Sequence, residues 1–121
     1  MSRTAPAPSS FLPLSPAVLH ILLALGDGER HGYAIAQEVE GLSDGNMRMG
    51  PGTLYGSIQR MIASGLVEPS PRRARDDSDE RRRYYRLTAT GREVLRLELK
   101  RLSAVVAVAR RRNLLREPRT T

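Results

Sequence analysis

Glycine and proline cut the first half of this chain into three short helical segments, and that punctuation limits the architecture more than any other feature. Ser15 is a good N-cap, and Pro16 stands at the first helical position, where a missing N–H costs nothing. Val18, Leu19, Leu22, Leu23 and Leu25 follow at helical spacing. Ile21 widens their apolar surface, so this helix is expected at the centre of the core. Gly26-Asp27-Gly28 stops it. A second helix is expected from His31 to Glu40, with Tyr33, Ile35, Ala36 and Val39 as its apolar stripe and Gln37, Glu38 and Glu40 toward water. Gly41 and Asp44-Gly45-Asn46 end it, and the alternation Met47-Arg48-Met49 suggests a very short strand. Gly50-Pro51-Gly52 opens a third helix, from Pro51 to Ser64. Leu54, Ile58, Met61 and Ile62 form its buried stripe, and Gly65 closes it.

After Gly65 the pattern changes. Leu66-Val67-Glu68 starts a strand, Pro69, Pro71 and the charged run over 72–83 read as a loop, and Arg83-Tyr84-Tyr85-Arg86-Leu87 returns as a strand. Tyr85 and Leu87 share one face of that strand, Tyr84 and Arg86 the other. Thr88 can cap a last helix over 89–115. There Leu95, Leu99, Leu102, Val106 and Ala109 recur at alternating steps of four and three, a heptad-like seam. Val94, Leu97, Val105 and Val108 widen it beyond what one small domain can cover, so a second copy is expected on it.

The order helix, helix, turn, helix, hairpin, helix is that of a winged helix-turn-helix. The expected fold is mainly α with a small β-hairpin: a disordered tail over 1–12, a winged helix-turn-helix over 13–88, a dimerisation helix over 89–115 and a tail over 116–121.

This layout suits duplex DNA. The net charge is +7, and nineteen of the twenty cationic side chains are Arg, the residue suited to bidentate phosphate and guanine contacts. A genome rich in G and C would give the same bias. The third helix carries Thr53, Tyr55, Gly56, Ser57, Gln59 and Arg60 opposite its apolar stripe, a small polar surface that fits a major groove. Gly50 and Gly52 at its N-terminus allow a phosphate close to free backbone N–H groups. Tyr55 is expected to be exposed and to touch phosphate. Tyr33 is read first as packing, with a DNA contact as the alternative. His31, at a helix start, is read as a phosphate contact or as simply solvated. Arg72, Arg73, Arg75, Arg82 and Arg83 flank the hairpin tip. They reach DNA unless Asp76, Asp77, Asp79 and Glu80 neutralise them locally.

Other chemistries find little support. The chain has no cysteine, which excludes disulfides and thiolate metal sites. His20 and His31 are far apart, and neither a metal nor a cofactor is expected. No paired carboxylates, Cys–His pair or phosphate loop supports an enzyme. No apolar run approaches the roughly 20 residues of a membrane span, and residues 1–10 lack a signal-peptide stretch, so a cytoplasmic location is expected. A winged helix that binds protein rather than DNA is the alternative, and it would carry exposed apolar residues on the third helix.

The sequence also resembles the PadR-type transcriptional regulators. The matching stretches are Leu14-Ser15-Pro16 through Leu25, His31-Gly32-Tyr33-Ala34-Ile35 and Gly50-Pro51-Gly52-Thr53-Leu54-Tyr55. Gly65-Leu66-Val67-Glu68 and Arg82-Arg83-Tyr84-Tyr85-Arg86-Leu87-Thr88 follow in order. Leu87-Thr88 with Gly91 recurs in many winged helices. The resemblance implies a homodimer joined through the C-terminal helix, with one winged helix per half-site of a palindromic operator, acting as a repressor. The single C-terminal helix is similar to the short subgroup of that family. Some of its members take aromatic small-molecule effectors stacked on Trp at the dimer interface; this chain has no Trp and one Phe, Phe11.

Overall fold

The structure is a computed structural model that describes residues 6–73 and 83–115. Four helices, α1 (Pro16–Ala24), α2 (Gly32–Leu42), α3 (Pro51–Ala63) and α4 (Ala89–Arg111), surround a three-stranded antiparallel sheet of β1 (Arg30–His31), β2 (Val67–Arg73) and β3 (Arg83–Leu87). Its order is β1-β3-β2. Ser15 caps α1 as its sequence suggests, its Oγ accepting the Val18 N–H at 3.3 Å. Ile21, Leu22, Ile35, Val39, Leu54, Ile58, Tyr85 and Val94 are buried and bring α1, α2, α3, β3 and α4 into one core. Each such large apolar side chain contributes about 1.5–3 kcal/mol on burial. No helix among the described residues is long and apolar enough to cross a membrane.

Several boundaries differ from the sequence reading. Met47-Arg48-Met49 is not a strand; the short strand is Arg30–His31, which pairs Arg30 with Tyr85 and His31 with Tyr84 along the open edge of β3. The second helix begins at Gly32 and runs on to Leu42, so Gly41 lies inside it. β2 continues through Pro69 and Pro71 to Arg73, with a register irregularity between Pro69 and Arg73. An edge strand tolerates these prolines because one row of its N–H groups has no ladder partner to serve. The disordered tail expected over 1–12 is contradicted from Pro8 onward. Pro8–Phe11 forms a 3₁₀ turn, and Phe11 and Leu12 pack against the core.

The last helix stops at Arg111 rather than 115. Asn113 takes a left-handed φ of 58°, and the Leu114 N–H returns to Ala109 O at 2.8 Å, which turns the chain off the helix axis. At its other end, Thr88 Oγ1 accepts the Gly91 N–H at 2.9 Å and donates to Gly65 O at 2.5 Å. The Thr88 N–H adds a bond to Leu66 O at 3.1 Å. One residue thus caps α4 and seats it on the turn between α3 and β2. That joint sets the direction in which the long helix leaves the domain.

Candidate nucleic-acid interface

α3 contains no Asp or Glu, and its N-terminus begins at Gly50 without a side-chain cap. Gly52, Thr53, Gln59 and Arg60 are exposed along it, and Gly56 is half-buried. The first-turn N–H groups have no side-chain partner and Arg60 is exposed, with no carboxylate on the same helix to oppose an incoming phosphate. Arg60 also bonds back, its guanidinium donating to Ser57 Oγ at 3.2 Å.

Three side chains depart from their expected places. Ser57 is only 4% exposed, because α3 turns it toward the N-terminal segment rather than outward, so it does not belong to the exposed face. Tyr55 is half-buried, its ring laid over the start of α2: a Cβ added to Gly32 would fall 2.3 Å from the Tyr55 hydroxyl. Tyr33 goes the other way. It is 62% exposed, so the packing reading fails for it. Gly32 has no side chain to separate α2 from α3, and Tyr55 fills that space while Tyr33 is left outside. Tyr33, Ala36, Met49, Pro51, Leu54 and Tyr55 line an apolar hollow of about 190 Å³ beside the α3 N-terminus.

His31 has a structural task. Its Nδ1 accepts the Ala34 N–H at 3.1 Å and caps α2, while its ring stands edge-on to Tyr84 with centroids 5.5 Å apart. His20 Nδ1 bonds Pro16 O at 2.7 Å. On the wing, Arg83 is exposed at the start of β3. Arg86 pairs with Glu68 across the two strands at 2.8 Å. Arg75 and Arg82 lie outside the described residues, as do the loop acids, and the side chains of Arg72 and Arg73 are likewise undescribed.

The seam on α4 divides in two. Leu95 is buried in the domain's own core, as is Val94, so the expected dimer role of Leu95 is corrected: α1 already covers that turn. Further along, Leu99, Val105 and Val108 are exposed, and Leu102, Val106 and Ala109 are half-covered. Between the halves sits Glu98, 1% exposed, which sequence reasoning passed over although a lone acid inside an apolar seam was the available signal. Arg101 donates to it at 2.5 and 3.1 Å, and the Leu14 N–H donates to Oε2 at 2.8 Å. The Arg101 hydrogen bonds hold its carboxyl below the usual 4.5, with burial opposing and the Leu14 N–H helping. Glu98 thereby ties the segment before α1 to α4.

With this geometry in view, comparison with known proteins gives a consistent picture. Residues 21–97 match the profile of the transcriptional regulator PadR-like family. A curated transcriptional regulator of Mycobacterium tuberculosis is 43% identical over 77 residues, covering 64% of this chain and 66% of the relative. An uncharacterized 37.1 kDa protein in transposon TN4556 of Streptomyces fradiae is 42% identical over 82 residues, covering 68% of this chain. The match spans only 21% of that longer protein. Among solved structures, the complex structure of hsRosR-S4, which shares the label vng0258 with h. salinarum RosR, is similar with a TM-score of 0.67 at 32% identity, over 89% of this chain and 88% of that one. A PadR family transcription regulator from Clostridium difficile R20291 shares the fold, with a TM-score of 0.64 at 22% identity over 80% of this chain and 97% of its own.

Proposed function

The chain belongs to the PadR-like family of transcriptional regulators, and from that premise we propose that it represses transcription as a homodimer on a palindromic operator. The observation that carries the reading is the acid-free α3, which exposes Thr53, Gln59 and Arg60 beyond an uncapped N-terminus. Gln and Arg are the side chains that pair bidentately with adenine and guanine edges. In this reading Tyr33 and Gly52, exposed near that end of the helix, meet the phosphate backbone together with Arg83 at the start of β3.

The second copy is assigned to the outer part of α4. Leu99, Val105 and Val108 are exposed on a helix whose inner half is already buried. A second α4 against them would hide the apolar surface and set two α3 helices on one duplex with two-fold symmetry. Repression follows from the family resemblance, through occupancy of the operator.

Selection of bound fragments from random duplex DNA, followed by fluorescence anisotropy on the enriched sequence, tests the reading. The expected result is an inverted repeat bound at least a thousandfold more tightly than a scrambled duplex, the lower range for specific binders. No enrichment, with equal affinity for both duplexes, would overturn it in favour of a protein-binding winged helix.

A further inference from the structure

A second site lies on the other side of Arg60. Phe11, Leu14, Val18, Met61 and Leu66 wall a cleft of about 280 Å³ between the segment before α1, α1 itself and the end of α3. That volume lies just below the range of drug-sized ligand pockets and suits a smaller molecule. Pro13 and Ala17 complete the apolar lining, Ser15 and Ser64 lie among it, and Phe11 is the one ring, so no aromatic pair sandwiches a planar molecule. Arg60 and Ser57 supply polar groups at this cleft, and their guanidinium-to-hydroxyl bond of 3.2 Å turns Arg60 toward it. Among the described residues Arg60 forms no ion pair. A guanidinium without a carboxylate partner at an apolar cleft complements one chemical class: an anionic head on a short hydrocarbon body.

We propose that this cleft binds a short-chain aliphatic carboxylate through Arg60, and that occupancy weakens DNA binding by engaging the guanidinium that otherwise reaches a base. The second half rests on the reading that Arg60 of α3 reads DNA; the first half does not. The site lies within one winged helix and needs no second copy. It would make the recognition helix itself the sensor.

The test uses the full chain, hexanoate as probe and hexanamide as its uncharged match. In a titration followed by amide chemical shifts without DNA, hexanoate should saturate shifts at Leu14, Val18, Ser57 and Met61, and hexanamide should bind about tenfold more weakly, because charge-assisted bonds are roughly twice as strong. Arg60→Gln should erase that preference. Ala17→Leu and Ser64→Leu each narrow the cleft from a different wall, and both should abolish hexanoate binding while keeping operator affinity. Saturating hexanoate should then weaken operator binding by the wild type and by neither narrowed variant. Equal binding of acid and amide, shifts that never saturate, or shifts that persist in both narrowed variants would overturn the proposal. So would cleft amides protected only at dimer-forming concentrations, which would assign the cleft to a second copy. If Arg60→Gln weakens operator binding while saturating hexanoate does not, the coupling is wrong. If Arg60→Gln leaves operator binding intact, the groove reading fails and the selectivity for acid over amide still judges the cleft.

Discussion

Replacing Gly91 with alanine should destabilise the fold although alanine is the better helix former. A Cβ there would lie 2.0 Å from Leu66 O and 2.9 Å from Leu66 C, inside contact distance of a backbone carbonyl that already accepts the Thr88 N–H. The carbonyl cannot swing aside without breaking that bond, so the first turn of α4 must lift. Lifting strains the packing by about 1–3 kcal/mol. It also weakens the Thr88–Leu66 bond, worth about 0.5–1.5 kcal/mol, and the Thr88 cap, worth about 1 kcal/mol. Alanine returns about 0.5–1 kcal/mol of backbone entropy. The net expectation is a loss of about 1.5–5 kcal/mol, a large share of the roughly 5–15 kcal/mol that holds a domain together. Gly41 is the internal control: it lies in α2, is exposed, and a Cβ there meets nothing within 4 Å. Gly41→Ala should therefore stabilise by about 0.5–1 kcal/mol. Urea unfolding followed by circular dichroism measures both. Equal midpoints for Gly91→Ala and Gly41→Ala would refute the close approach of α4 to Leu66.

Gln59→Ala or Arg60→Ala should each relax sequence preference, costing about 1–3 kcal/mol per lost base contact, as read by anisotropy on the selected and single-mismatch duplexes. Val105→Glu should turn dimers into folded monomers in sedimentation velocity, because Val105 is 56% exposed within its own chain and only a partner would desolvate the new charge. Glu98 has a carboxyl held below its ordinary 4.5 by Arg101 and by the Leu14 N–H. It therefore stabilises the fold above the unfolded-state pKa, and that contribution is lost as pH falls through the lower folded value. Glu98→Gln should flatten this part of the acid-side fall in melting temperature, and an unchanged acid profile would contradict the tie between α4 and Leu14.

The helices were legible because their signals are local. Ser15-Pro16, Gly50-Pro51 and Thr88 state their caps in the sequence, and the Tyr85–Leu87 face alternates as a half-buried strand must. The features that were not legible depend on distant partners. Arg30 and His31 carry no strand signal of their own; they pair only because β3 offers an open edge. Ser57 looks like a surface residue by type, yet the segment around Phe11 and Leu14 folds over that side of α3. Tyr33 and Tyr55 exchanged their expected exposures because of Gly32, whose missing side chain admits one ring and not the other. The Leu95 seam read as continuous because periodicity does not say which turns a domain covers for itself. Gly91, familiar from its place after Leu87-Thr88, gains its physical reason only once Leu66 is seen against it.

Two copies should present two α3 helices to one operator. Hydroxyl-radical footprinting of the full chain on its selected duplex reads this in one experiment. Two protected half-sites should appear, related by a dyad and about 10–10.5 base pairs apart centre to centre, or a multiple of that spacing. They should fill together as protein is added. A single protected half-site at saturation, or uniform protection without a dyad, would contradict the dimeric groove-reading account.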